Sequence, residues 1–177
     1  MDLELADGFL DFNFKFLVGL CELLDERLTW IQTQCDGAVD PDAMGLIDDF
    51  EYYSGLGFVA CQRYLTATCQ WCRVEKRVAL AIGPHHDSGQ AIVTLLNAAA
   101  NYWKHVDDWN PAAVARRDVE QLHPRQQRTI HVIQTVTPWS DYTCANLLGE
   151  LTAQSRFVEV MPVLEVWRER VSRLGHA

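Results

Sequence analysis

The sequence predicts an all-α fold, a single-domain antiparallel helical bundle of five to seven helices covering residues 1–177. Three observations predict it. Apolar side chains recur at alternating steps of three and four along most of the chain. Turn signals built on proline and glycine separate these stretches, and no segment shows the period-two alternation of a strand. Hydrophobic residues make up 49% of the chain and charged residues 22%, enough apolar material to close a core and too much for wholesale disorder.

The first helix is marked by a seam of Leu10, Phe14, Leu17, Cys21, Leu24, Leu28 and Ile31. Phe9, Phe12, Phe16, Leu20 and Leu23 widen its apolar face, which favours burial in a globular bundle over a narrow coiled-coil seam. Residues 35–42 read as a loop, since Asp36-Gly37 is a turn signal. Asp40-Pro41 offers a cap followed by proline at the first helical position, so a second helix is expected to start near residue 41. Its stripe runs through Leu46, Phe50, Tyr53, Gly57, Cys61, Tyr64, Thr68 and Trp71. The stripe keeps register across Gly55 and Gly57, so these glycines predict a neighbour packed very close rather than a break.

Residues 82–88 form a loop containing Gly83-Pro84, and Asp87 or Ser88 is the expected cap of a third helix over 88–106. Asn110-Pro111 repeats the cap-and-proline signature and opens a shorter helix carrying Arg116, Arg117 and Asp118. His123-Pro124 interrupts that helix, a further one runs to about Val136, and Thr137-Pro138 stops it. Ser140 or Asp141 caps a helix over 142–152. The last helix covers 157–174, with Pro162 near its start or kinking it.

Charge is distributed unevenly. The formal net charge is −9, which argues against a generic duplex-DNA binder held by phosphate neutralisation. Residues 1–51 hold 13 acidic side chains against Lys15 and Arg27, a balance of −11, whereas the remainder of the chain stands at +2. A local nucleic-acid site in the second part is therefore compatible with the overall acidity. The six cysteines fall mostly within apolar helical patterns and are expected to be reduced. The opening residues Asp2, Glu4, Asp7 and Asp11 are the reverse of a signal peptide's basic start, and no apolar run reaches membrane-spanning length. A cytoplasmic protein without a membrane partner is expected.

The third helix carries the most informative pattern. At about 100° per residue, Ile92, Leu95, Ala99, Tyr102, Trp103 and Val106 share one face, while Asn97, Asn101, His105 and Asp108 line another, with Lys104 beside them. Taken alone, such a row reads as a solvated helix face with a histidine near the C-terminal end, where the helix dipole favours a cation. The string Ala100-Asn101-Tyr102-Trp103-Lys104-His105, followed by Asp107-Asp108-Trp109, resembles the signature of the HEPN superfamily, in which an arginine, usually followed by asparagine, precedes a histidine by four to six residues. The resemblance covers roughly residues 41–109. It implies a four-helix bundle, often a homodimer whose motifs meet across the interface, and in many members a metal-independent endoribonuclease of a prokaryotic defence or toxin–antitoxin system. Other members are inactive binding modules.

On that resemblance His105 is the acid/base and Asn101 contacts phosphate or orients the imidazole. The position matching the family arginine is Ala100, so a cation would have to come from Lys104, from Arg63 on the second helix or from a partner chain. Asn97 and Arg63 are the further RNA-binding candidates.

Two other arginine–histidine spacings, Arg117 with His123 and Arg125 with His131, read as surface pairs. Cys69 and Cys72 have CxxC spacing, and His85-His86 follow, but the CxxC lies within a helical stripe and adjacent histidines seldom share one ion. Neither a metal nor a cofactor is expected. A different class of function starts from the acidic first segment: Asp36, Asp40, Asp42, Asp48, Asp49 and Glu51 cluster around the first interhelical loop. Residues 1–51 would suit the surface of a non-enzymatic inhibitor, immunity or antitoxin-type protein that occupies a basic partner.

Overall fold

The structure is a computed structural model and describes residues 11–175. Phe9 and Leu10, and the acidic residues before them, lie outside the described residues. Among the described residues eight α-helices follow one another: α1 (Phe12–Gly37), α2 (Leu46–Trp71), α3 (Lys76–Leu80), α4 (Ile92–His105), α5 (Pro111–Arg116), α6 (Pro124–Ile133), α7 (Thr143–Leu151) and α8 (Met161–Gly175). Short 3-10 turns cover Val106–Asp108, Val119–Gln121 and Phe157–Val160. No strand occurs among the described residues. The all-α bundle is thus observed, with one helix more than the upper expectation.

The additional helix is α3. Arg73 adopts a left-handed backbone (φ 55°), which ends α2 and turns the chain before Lys76.

Helix α2 is central. Contacts at both ends show that it runs antiparallel to α1: Arg27 bonds to Asp49 at 3.3 Å, while Phe14 packs on Tyr64 with ring centroids 5.4 Å apart. It also runs antiparallel to α4, because Tyr52 and Gly55 meet Trp103 whereas Gln62 meets Asn97 and Asn101. Helix α8 returns along α1, from Asp25 beside Phe157 to Asp11 beside Arg168. Helix α6 packs on α4, and α7 packs on α2 and α4.

The two glycines of α2 act as expected. An ideal Cβ on Gly55 would lie 2.1 Å from the Trp103 ring, and one on Gly57 would lie 2.1 Å from Phe157. Both aromatic rings therefore sit directly on the α2 backbone.

Buried carboxylates cap helices across the fold. Glu51 on α2, 7% exposed, accepts from the backbone N–H groups of Cys144 (2.9 Å) and Ala145 (2.7 Å) at the start of α7. Asp25 on α1, 6% exposed, does the same for Phe157 (2.7 Å) and Val158 (2.9 Å) ahead of α8. Each carboxylate satisfies two orphan donors and welds a long helix to a short one. Burial raises both carboxyl pKa values, against the opposing pull of the backbone donors.

Several boundaries differ from the sequence reading for identifiable reasons. Helix α1 continues to Gly37, and its N-cap Asp11 accepts from Phe14 N at 3.0 Å. Asp40 caps a turn by accepting from Ala43 N at 3.0 Å, and α2 begins only at Leu46, after Gly45 has reversed the backbone with φ 70°. Trp71 at the end of the predicted stripe is exposed. Asp87 and Ser88 do not cap α4. They lie in a tight loop closed by the His86 N–H donating to Gln90 O (2.9 Å), and α4 starts at Ile92 with no side-chain cap. Ser140 takes the Tyr142 N–H at 3.2 Å, but the first turn of α7 is capped by Glu51 from another helix. Asn110-Pro111 opens α5 as expected, with the Asn110 side chain accepting from Ala112 N. Pro162 sits in the first turn of α8, where its missing N–H costs nothing.

The largest correction concerns α1. Phe14, Leu17, Cys21, Leu24, Leu28 and Ile31 are buried as predicted, but Phe12, Phe16, Leu20 and Leu23, expected to widen that face, are not. Phe12 is 59% exposed, Phe16 71% and Leu23 64%, and Leu20 is exposed beside them. They project from the adjoining, outward side of the helix.

Candidate functional site

A cleft of about 710 Å³ opens between the outer face of α4 and α6. From α4 and the turn after it come Asn97, Asn101, His105 and Asp108, the predicted polar row. From α6 and its cap come His123, Arg125, Gln126, Arg128 and Thr129. Residues that sequence reasoning treated as separate surface features thus share one concavity.

Gln62 organises the amides on α4. Its Nε2 donates to Asn97 Oδ1 (3.0 Å), to Asn101 Oδ1 (2.8 Å) and to the Asn97 backbone carbonyl (3.2 Å), and its Oε1 accepts from Lys104 Nζ. Both Asn oxygens are therefore occupied on the α2 side. The amide nitrogens, which only donate, are the ends left for the cleft.

The two imidazoles are held differently. His123 is the N-cap of α6: its Nδ1 accepts from Arg125 N at 3.4 Å, and its backbone N–H donates to Gln126 Oε1 at 2.8 Å. In a neutral ring an accepting Nδ1 places the proton on Nε2. At the C-terminus of α4, His105 is exposed, with Nδ1 3.9 Å from Asp108 Oδ2, beyond hydrogen-bond reach. Both imidazoles line the same cleft.

Arg125 and Arg128 supply positive charge. Neither makes an ion pair among the described residues, and the first turn of α6 contains no acid. Cations at a helix N-terminus oppose the helix dipole. An anion placed there would be attracted by the arginines and the dipole together.

The remaining predicted residues lie elsewhere. Lys104 turns to Gln62 and does not line the cleft; Arg63 is exposed on α2, also outside it. Ala100 is fully buried, so an arginine at that position would begin inside the core rather than beside His105. Arg117 pairs with Asp141 and stands over Trp139, and neither it nor His131 lines the cleft.

The signal that sequence reasoning missed was His123-Pro124 followed by Arg125 and Arg128, a helix start with basic residues where acidic ones are usual. That α6 would roof α4 had no local signature.

Cys69 and Cys72 are buried, and no group of three or more His, Cys, Asp or Glu among the described residues is arranged to hold a metal. No described helix is long and apolar enough to cross a membrane. The acidic loop is largely committed to the fold: Glu51 is buried, Asp40 caps its turn, Asp42 accepts from Tyr142 Oη (2.9 Å) and Asp49 pairs with Arg27.

The architecture and cleft define an all-α helical bundle with a polar, arginine-bearing groove. Searches of protein-family models, curated proteins and solved structures find no match to the chain.

Proposed function

We propose that the α4–α6 cleft binds the phosphodiester backbone of RNA and cleaves it without a metal, as a divergent relative of the HEPN endoribonucleases. The observation that carries this reading is the convergence of His105, His123, Asn97, Asn101, Arg125 and Arg128 on one cleft. His105 Nε2 takes the proton of the ribose 2′-hydroxyl as that oxygen attacks phosphorus. The bond from phosphorus to the 5′-oxygen breaks, and His123, as imidazolium, gives its Nε2 proton to the leaving oxygen and returns to the neutral ring whose Nδ1 caps α6. The products are a 2′,3′-cyclic phosphate and a free 5′-hydroxyl. Arg125 and Arg128, with the Asn97 and Asn101 amide nitrogens, hold the non-bridging oxygens as negative charge builds on them. The arginines of α6 thereby take the part that Ala100 cannot.

The involvement of most of the acidic loop carboxylates in intramolecular contacts favours this reading over that of an acidic inhibitor. Incubation of the purified chain with RNA in EDTA tests it. Wild-type protein is expected to cleave, and His105→Ala and His123→Ala each to lose about 10²- to 10⁴-fold in rate. Arg125→Gln with Arg128→Gln is expected to weaken RNA binding and flatten its salt dependence. Binding without cleavage would leave a binding subunit; absence of both would overturn the reading.

A further inference from the structure

We propose that the outer face of α1 is the interface of an antiparallel homodimer. Phe12, Phe16, Leu20, Leu23 and Trp30 are exposed, and at about 100° per residue they form one stripe along the helix, away from the buried seam. Together they present roughly 500 Å² of apolar surface, near the upper end for the largest patch on a monomer. Two such faces in contact remove about 1,000 Å² from water, the least area expected of a biological interface.

The stripe fits a second copy of itself. A two-fold axis passing near Leu20 and Cys21 sets Phe12 of one copy beside Trp30 of the other and Leu23 over Gly19. Gly19 lies within the stripe, and a Cβ there would meet nothing within 4 Å, so the helices can approach closely at that point. On one rim of the stripe the exposed Lys15 comes opposite Glu26, and symmetry repeats the pair. Trp30 is already ordered for this contact, since the Arg27 guanidinium stands 4.1 Å from its ring centroid and is itself tied to Asp49.

None of the stripe residues lines the α4–α6 cleft, so this dimer forms on a surface other than the cleft. The arrangement differs from the one implied by the HEPN resemblance, in which the motifs meet across the interface. The proposal stands independently of the chemistry assigned to the cleft.

Light scattering coupled to size exclusion, on the full chain over a dilution series, tests it. The wild type is expected at twice the monomer mass, and Phe16→Glu with Leu23→Glu at the monomer mass with unchanged helical circular dichroism. Lys15→Glu should weaken dimerisation about tenfold, and Lys15→Glu with Glu26→Lys should restore it. A monomeric wild type at about 100 µM would overturn the proposal and assign the stripe to a different protein. Persistence of the dimer in the double-glutamate variant, or failure of the charge swap to restore association, would also overturn it.

Discussion

Helices α1 and α4 flank α2, run antiparallel to it, and each keep a second face that the core does not use. On α4 that face is polar, and α6 covers it to make a concave cleft. On α1 it is apolar and stands bare. Burial of apolar area would by itself favour the reverse, covering the phenylalanines and leaving the amides to water. The covered polar face therefore points to a ligand held between α4 and α6, and the bare apolar face to a surface completed by another chain.

The cleft variants and the α1 double variant test these two faces, and four further measurements sharpen the contrast. The largest expected effect on stability comes from the inner side of α4. Gly55→Ala would drive a methyl into the Trp103 ring and should cost about 3 kcal/mol, lowering Tm by roughly 6–12 °C. An unchanged Tm would mean that α2 and α4 are less closely packed than described.

The next effect concerns the carboxylates that join long helices to short ones. Glu51→Ala leaves two backbone donors of α7 without their acceptor and should destabilise by about 2 kcal/mol, read by urea unfolding. Its pH dependence has a defined sign. Burial holds the Glu51 and Asp25 carboxyls above their unfolded pKa values, so the folded state keeps protons that the unfolded state releases. Their contribution to stability is fully present below the unfolded pKa and declines as pH rises through the raised folded value. The stability advantage of wild type over Asp25→Asn with Glu51→Gln should therefore grow as pH is lowered from about 7 to about 5.

The smallest effect belongs to the bare face. Phe16→Ser removes a large apolar side chain without opening a cavity, and under conditions where the chain is monomeric its stability should stay within about 0.5 kcal/mol of wild type. A loss as large as that of Gly55→Ala would show that Phe16 is buried within the monomer and erase the distinction between the two helices.

Much of the fold was legible locally. The seam from Phe14 to Ile31, the Asn110-Pro111 start and the close contacts at Gly55 and Gly57 follow from helical periodicity and from what proline and glycine do to a backbone. The polar row Asn97–Asn101–His105 was legible for the same reason, since spacing alone places it on one side of a helix. Which of two apolar faces on α1 would be buried was not, because both Phe14 and Phe16 satisfy a helical pattern and only the neighbours decide between them. The same holds for Lys104, whose place beside the row predicted a ligand contact until Gln62, on another helix, accepted its proton donor.

By itself, then, the sequence determined the order of the longer helices and which residues share a helical face, because these depend on the 3.6-residue period and on short-range backbone chemistry. Only the tertiary structure decided which faces meet. It brought His123, Arg125 and Arg128 to His105, sent Glu51 and Asp25 to cap distant helices, and left the phenylalanines of α1 outside. Those outcomes depend on contacts between helices far apart in the chain, and on the requirement that every buried charge and orphan N–H find a partner, neither of which leaves a local mark.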